Sequence, residues 1–250
     1  MIQLARAFRC LDTFSSGSHS FSRFCSDTHG NLFVLWGNAS EGGFEVTNRV
    51  LASSLLDTCE HWIANRPLEG DFAHWSKALF DEAEKFICAL EEPEGWEPGW
   101  WQPLGFLTCL HIREEGVFVR WIGNGVAWLF QEEQLISSIE PHTMARQLRE
   151  EGVVIEGIED EEHNVHFMLV RALGGQSEQS SECTQLLFEK EQLYRILLTD
   201  AKCLRYLYRN ELLMPSAHLE SALELYAERL MVQQCYPLPY AHVIGIEFFL

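Results

Sequence analysis

Basic residues are the first scarcity in this 250-residue chain: 18 Lys and Arg stand against 37 Asp and Glu, for a formal net charge of -19. A surface with that bias repels nucleic-acid phosphates and anionic membranes, which argues against both as partners. A basic protein or a cation is easier to accommodate. Cys-x-x-Cys pairs are also missing. The eight cysteines, at positions 10, 25, 59, 88, 109, 183, 203 and 235, fit neither a zinc module nor a small disulfide framework. Most sit in apolar surroundings, as Cys109 does in Leu-Thr-Cys-Leu-His-Ile, so buried thiols in a reducing cytoplasm are expected. No apolar run approaches the roughly 20 residues that span a bilayer. Arg6 and Arg9 interrupt what would otherwise resemble a signal core. Neither a Gly-rich phosphate loop nor a nucleophile-elbow motif is present. The expectation is a soluble, cytoplasmic protein.

What remains is enough for a substantial core, since 47% of the residues are hydrophobic. Asn31–Trp36 is a short apolar run after the His29-Gly30 turn signal and predicts a buried strand. Glu45–Ile63 places Val46, Val50, Leu55, Cys59 and Trp62 at mostly helical spacing. A clearer helix is predicted over Asp71–Leu90, with Phe72, Trp75, Leu79, Ala83, Phe86 and Leu90 on one stripe and acids opposite. The Glu-, Pro-, Gly- and Trp-rich segment Glu91–Pro103 is a connector. Its Trp96, Trp100 and Trp101 form either a recognition patch or a lid folded onto the core, and packing is the more ordinary fate of large aromatics.

Strands are predicted next at Leu104–Ile112, Val117–Ile122, Val126–Phe130 and Gln134–Ile139, with hairpin breaks at Glu114-Glu115-Gly116 and Glu132-Glu133. A short helix over His142–Glu151 should stop at Gly152. The acidic stretch Glu156–Asn164 and the Ser-, Gln- and Glu-rich stretch Gly174–Cys183 read as loops. Strands return at Thr184–Phe188, Tyr194–Thr199 and Val243–Phe249, with a helix over Ala217–Gln234. Hairpin strands with helices inserted in pairs indicate an antiparallel α+β layered fold.

Local metal chemistry is weakly signalled. His163 and His166, with Asp160 or Glu161, have loose transition-metal spacing, and the acidic composition favours a solvated loop. His111 and His142 accompany no identifiable nucleophile, so no catalytic residue is assigned.

Several segments, taken in order, resemble the metal-dependent PPM (type 2C) serine/threonine phosphatases. Trp36–Asn48, Trp-Gly-Asn-Ala-Ser-Glu-Gly-Gly-Phe-Glu-Val-Thr-Asn, is similar to the pattern Asp-Gly-Met-Gly-Gly-His-x-x-Gly-Glu-Val-Ala-Ser. Leu104–Ile112 resembles a Met-Gly-Thr-Thr strand. Gly123-Asn124-Gly125-Val126-Ala127, within Arg120–Phe130, resembles Gly-Asp-Ser-Arg-Ala with its acid and arginine missing. Pro141–Gly152 is similar to an Asp-His-Ser helix, and Arg171-Ala172-Leu173-Gly174 to an Arg-Ala-Leu-Gly turn. Ile196–Leu204 resembles Leu-Leu-x-Ser-Asp-Gly-Leu, and Ala241–Ile244 stands at Asp-Asn-x-Thr.

The resemblance implies one PPM-type domain over residues 1–250, a four-layer αββα sandwich of two antiparallel sheets flanked by helices. It also implies two Mg²⁺ or Mn²⁺ ions in a cleft, which hard-cation chemistry requires carboxylates to hold. Here the principal bridging aspartate is Trp36, whose indole N–H only donates. Gly37 keeps the following glycine, and the last aspartate is Ala241. The upstream acids should fall around Ser20–Arg23, where none exists. Only Asp200 keeps a metal-ligand position. The expectation is therefore a pseudophosphatase without a cofactor that binds or regulates a protein, with phosphoproteins a conceivable class. A bare phosphate is disfavoured by the net charge, with Arg120 and Arg171 the nearest candidates to meet one. The alternative is an active serine/threonine phosphatase with a variant Mg or Mn site.

Overall fold

The computed structural model describes residues 3–10, 22–26, 32–41, 46–47, 49–66, 68, 70–92, 94, 102–113, 116–131, 134–154, 164–166, 168–175, 181–186, 192–200 and 243–249. In chain order the elements are β1 (Gln3–Cys10), β2 (Ser22–Ser26), β3 (Leu32–Glu41), β4 (Val46–Thr47), α1 (Arg49–Ala64), α2 (Phe72–Cys88), β5 (Leu104–Arg113), β6 (Gly116–Ile122), β7 (Gly125–Gln131), β8 (Gln134–Ile139), α3 (Met144–Glu150), β9 (Glu182–Leu186), β10 (Leu193–Asp200) and β11 (Val243–Phe249). A 3-10 turn at Asn164–His166 closes the stretch expected to be loop. The helix expected over Ala217–Gln234 lies outside the described residues. The class is the expected α+β, with two antiparallel sheets. The chain divides into two compact units.

One unit comprises His19–Gly123 and Leu169–Leu187. Its sheet runs β2-β3-β5-β6-β9, with β4 beside β3. β5 is buried along nearly its whole length, which explains its continuous apolar run in place of alternation. The β5–β6 hairpin closes at Arg113↔Gly116, at the predicted break. Asp71 caps α2 by accepting the His74 N–H at 2.7 Å.

The predicted α2 stripe holds through Phe72, Trp75, Leu79 and Ala83 and then fails. Ile87 is fully buried, while Phe86 and Leu90 are only half-buried. The cause is local: Ile87 fills the space left by the absent Cβ atoms of Gly105 and Gly174. The first helix also starts later than expected. Val46–Thr47 pairs with Ser40–Glu41 as β4, and α1 begins at Arg49 with Val50 exposed. α1 instead buries Ala52, Leu55, Leu56, Cys59, Trp62 and Ile63.

The second unit comprises Met1–Ser18, Asn124–Met168 and Phe188–Leu250. Its sheet runs β1-β11-β10-β7-β8, so β10 is the middle strand. Tyr194 to Leu198 of β10 are all buried. α3 is shorter than expected because Thr143 serves as its cap, its hydroxyl accepting the Arg146 N–H. Gly152 ends that turn at φ +70°, as predicted. β6 and β7 are consecutive yet join different sheets. The chain changes sheet at Gly123, where φ is +95° and a Cβ would lie 2.3 Å from Phe106 Cδ1, so only glycine fits.

Candidate functional site

The segment that resembles the metal-binding strand is β3. Register pairs Trp36 with Ser22 of β2 and with Thr108 of β5. Thr108 in turn pairs with Trp121 of β6, and Trp121 with Glu182 of β9. A single row therefore runs Ser22–Trp36–Thr108–Trp121–Glu182 across five strands. Its one carboxylate stands on the edge strand, where Glu182 accepts from Arg171 Nη1 at 2.8 Å. Ser22 and Thr108 are fully buried, and Thr108 Oγ1 has no hydrogen-bond partner among the described residues.

Gly37 has a separate explanation. A Cβ there would lie 3.0 Å from Leu56 Cδ2 of α1 and 3.0 Å from the backbone oxygen of Phe106. The glycine lets α1 approach β3 closely. Upstream, Arg23 of β2 follows Ser22 and turns to α1, donating to Asp57 Oδ1 from Nε at 2.9 Å and from Nη2 at 2.6 Å, and to Ser53 Oγ at 2.8 Å. The segment expected to supply acids thus supplies a cation, and the nearby acids Asp57 and Glu60 engage it.

In the other unit, Asp200 is the last residue of the middle strand and lies opposite Gly125 of β7. Asn124, one position earlier, is 8% exposed, and its Oδ1 has no partner among the described residues. Ala241, two positions before β11, lies outside the described residues. So do Trp96, Trp100, Trp101, Asp160, Glu161 and His163.

His111, His142, His166, Arg120 and Arg171 take structural places. His111 is fully buried and stacks on Phe33 at 4.0 Å, with Trp75 edge-on at 5.4 Å; Arg113 Nε donates to its ring. His142 is buried immediately before the α3 cap, and His166 is half-buried in the 3-10 turn. Arg120 of β6 is buried against α2, and Arg171 holds Glu182, so neither guanidinium is turned outward as a free phosphate ligand. The sequence named Arg120 only as a candidate to meet a phosphate, and its helix partners were not legible there.

Cys25, Cys59, Cys88, Cys109 and Cys183 are free thiols. Burial, with a smaller contribution from the Glu60 charge, pushes the Cys25 thiol up to about 12. Burial likewise pushes Cys59 and Cys109 far up, so these thiols are poor nucleophiles.

Two neighbouring divalent cations need several carboxylates. By residue type the row through Trp36 is Ser, Trp, Thr and Trp, and its one acid is the Glu182 that Arg171 engages. Among the described residues no cluster of three or more His, Cys, Asp or Glu is placed to hold a metal. These residues do not fit a metal pair.

No protein-family model matches the sequence, and no curated protein matches it. Solved structures do. The S. agalactiae serine/threonine phosphatase superposes with a TM-score of 0.73 at 10% identity, covering 100% of both chains. The catalytic domain of the serine/threonine protein phosphatase PstP, in complex with two manganese ions, gives 0.64 at 19% identity over 99% of this chain and 98% of that one. The PPM phosphatase MsPP from Mycobacterium smegmatis, in complex with cacodylate, gives 0.63 at 16% identity over 97% and 98%.

Proposed function

We propose that this chain, which carries the fold of the PPM-type serine/threonine phosphatases, is a non-catalytic version of that fold that binds and regulates a protein partner. We read residues 1–250 as one such domain. The observation that supports this is the pairing of Trp36 and Gly37. The glycine has a packing role beneath α1, whereas the position before it, where the resemblance demands a bridging carboxylate, carries an indole. The architectural half of the motif is retained and the ligand half is gone. Of the positions that the resemblance assigns to metal ligands, only Asp200 is an acid, and a metal pair needs several.

Phosphoproteins are the first partner class to test, because a fold shaped for phosphoprotein recognition can lose hydrolysis and keep binding. Function still rests on the site and not on the fold. No helix among the described residues is long and apolar enough to cross a membrane. The five free thiols suit a reducing compartment, and we place the protein in the cytoplasm.

Isothermal titration with Mn²⁺ tests the proposal. Absence of tight binding is expected; a two-site isotherm in the micromolar range or below would contradict it.

A further inference from the structure

Arg120 carries a full positive charge into the interior of its unit, with 7% of its surface exposed. Its guanidinium donates from Nε to Ser76 Oγ, from Nη1 to Ser181 Oγ and from Nη2 to the Ala73 carbonyl, each at 2.8 Å. These three acceptors are neutral, as is the Cys183 thiol on β9, which is the register partner of Arg120 and a further side-chain hydrogen-bond partner of its guanidinium. The Phe80 ring, at 6.0 Å, adds only a weak cation–π contact. No carboxylate pairs with Arg120 among the described residues. Glu182 is taken by Arg171, and Asp71 is spent on the α2 cap.

A buried cation without a counter-charge is costly, and a guanidinium fork matches phosphate oxygens better than any other anion except carboxylate. Cys183 reaches solvent, but desolvation pushes its thiol up and it keeps its proton; of the other three acceptors, only one is able to gain charge and reach solvent. Ala73 contributes a backbone oxygen. Ser76 is fully buried and already donates to the Phe72 carbonyl. Ser181 is half-exposed, and it stands at the end of the Ser-, Gln- and Glu-rich stretch just before the edge strand β9.

We propose that Ser181 is a phosphorylation site whose phosphoryl group is received by Arg120. The inference is independent of whether the chain hydrolyses phosphate. A protein kinase with a nucleoside triphosphate supplies the group. Ser181 Oγ bonds to the γ-phosphorus, the bond from that phosphorus to the bridging oxygen breaks, the nucleoside diphosphate leaves, and the hydroxyl proton passes to the kinase's base. The product places a dianionic acceptor at the end of a guanidinium that now has only neutral ones. It ties β9 to α2 by charge-assisted hydrogen bonds.

The experiment incorporates phosphoserine at position 181 of the full chain by genetic encoding, with phosphoserine at Ser180 as a control of equal charge. Phosphoserine at 181 should raise the melting temperature by roughly 3–8 °C, and phosphoserine at 180 should not. The gain should vanish in Arg120→Gln and shrink in Arg120→Lys, which keeps charge but loses the fork. If the Arg120 variants fail to fold, removal of the phosphate by alkaline phosphatase decides in the wild-type background. The group at 181 should leave roughly tenfold more slowly than that at 180. Equal removal rates at the two serines, or a lowered melting temperature with phosphoserine at 181, would overturn the proposal.

Discussion

Replacing Gly37 by alanine separates packing from metal binding as the reason for a glycine after Trp36. The new Cβ would sit 3.0 Å from Leu56 Cδ2 and 3.0 Å from the Phe106 carbonyl oxygen. Leu56 is fully buried and cannot swing into solvent, and the carbonyl belongs to β5, whose Leu107 is the register partner of Gly37. Relief therefore requires α1 to move off β3. Overpacking of this kind costs about 1–3 kcal/mol. For a chain of this size that corresponds to a fall in melting temperature of roughly 2–12 °C.

Calorimetry on Gly37→Ala, with and without Mn²⁺, should show the same fall in both conditions. Combining it with Leu56→Ala gives a sharper test. Leu56→Ala alone should cost about 2–5 kcal/mol through its cavity, but the double variant should lose clearly less than the sum of the two. Full additivity, or a Gly37→Ala protein as stable as wild type, would refute the packing explanation. A loss seen only with Mn²⁺ would mean that the glycine serves a metal after all.

Other outcomes follow from the same contacts. Glu84 accepts the Gly174 N–H at 2.9 Å, anchoring the Arg171–Gly174 turn to α2; Glu84→Ala should cost about 1–2 kcal/mol in urea unfolding, and no loss would unseat that role. His111→Ala should cost about 2–4 kcal/mol by emptying the stack on Phe33, whereas His111→Phe should cost much less; equal losses would give the ring nitrogens a larger part than the stacking. The Cys25 thiol is raised by burial from 9.0 to about 12, so the fold favours its neutral form. That stability is fully present below pH 9 and is lost as pH rises towards 12, and Cys25→Ala should flatten the alkaline fall in the urea midpoint; an unchanged slope would count against it. Trp100→Ala/Trp101→Ala, compared with wild type in a pull-down from the native source, should alter the partner profile if the connector is the binding surface. Identical profiles with unchanged melting would remove it, and a lower melting temperature would assign these indoles to the core.

The strands β5 to β7 were legible because each is an apolar run ended by paired glutamates or glycine, and β8 because it follows the Glu132-Glu133 break. β1 and β2 were not, since Arg6, Arg9, Ser22 and Arg23 interrupt any alternation. Arg23 becomes intelligible only once α1 brings Asp57 beside it. The short β4 was hidden for a similar reason: Val46 fits a helical stripe until β3 is present to pair with it. At the candidate site, the Trp36 and Gly37 positions came from the resemblance to the phosphatase Asp-Gly motif. The role of Gly37 depends on Leu56, nineteen positions along the chain, and was not readable. Arg120 shows the same limit, because its partners Ser76 and Ser181 come from distant segments.

The central claim, a phosphatase fold without phosphatase chemistry, meets its most direct test in the hydrolysis of a phosphoserine peptide by the purified chain. The assay is run with and without Mn²⁺, beside Asp200→Ala. The account predicts background rates throughout and no difference between the two proteins. Mn²⁺-dependent release of phosphate that Asp200→Ala abolishes would contradict it.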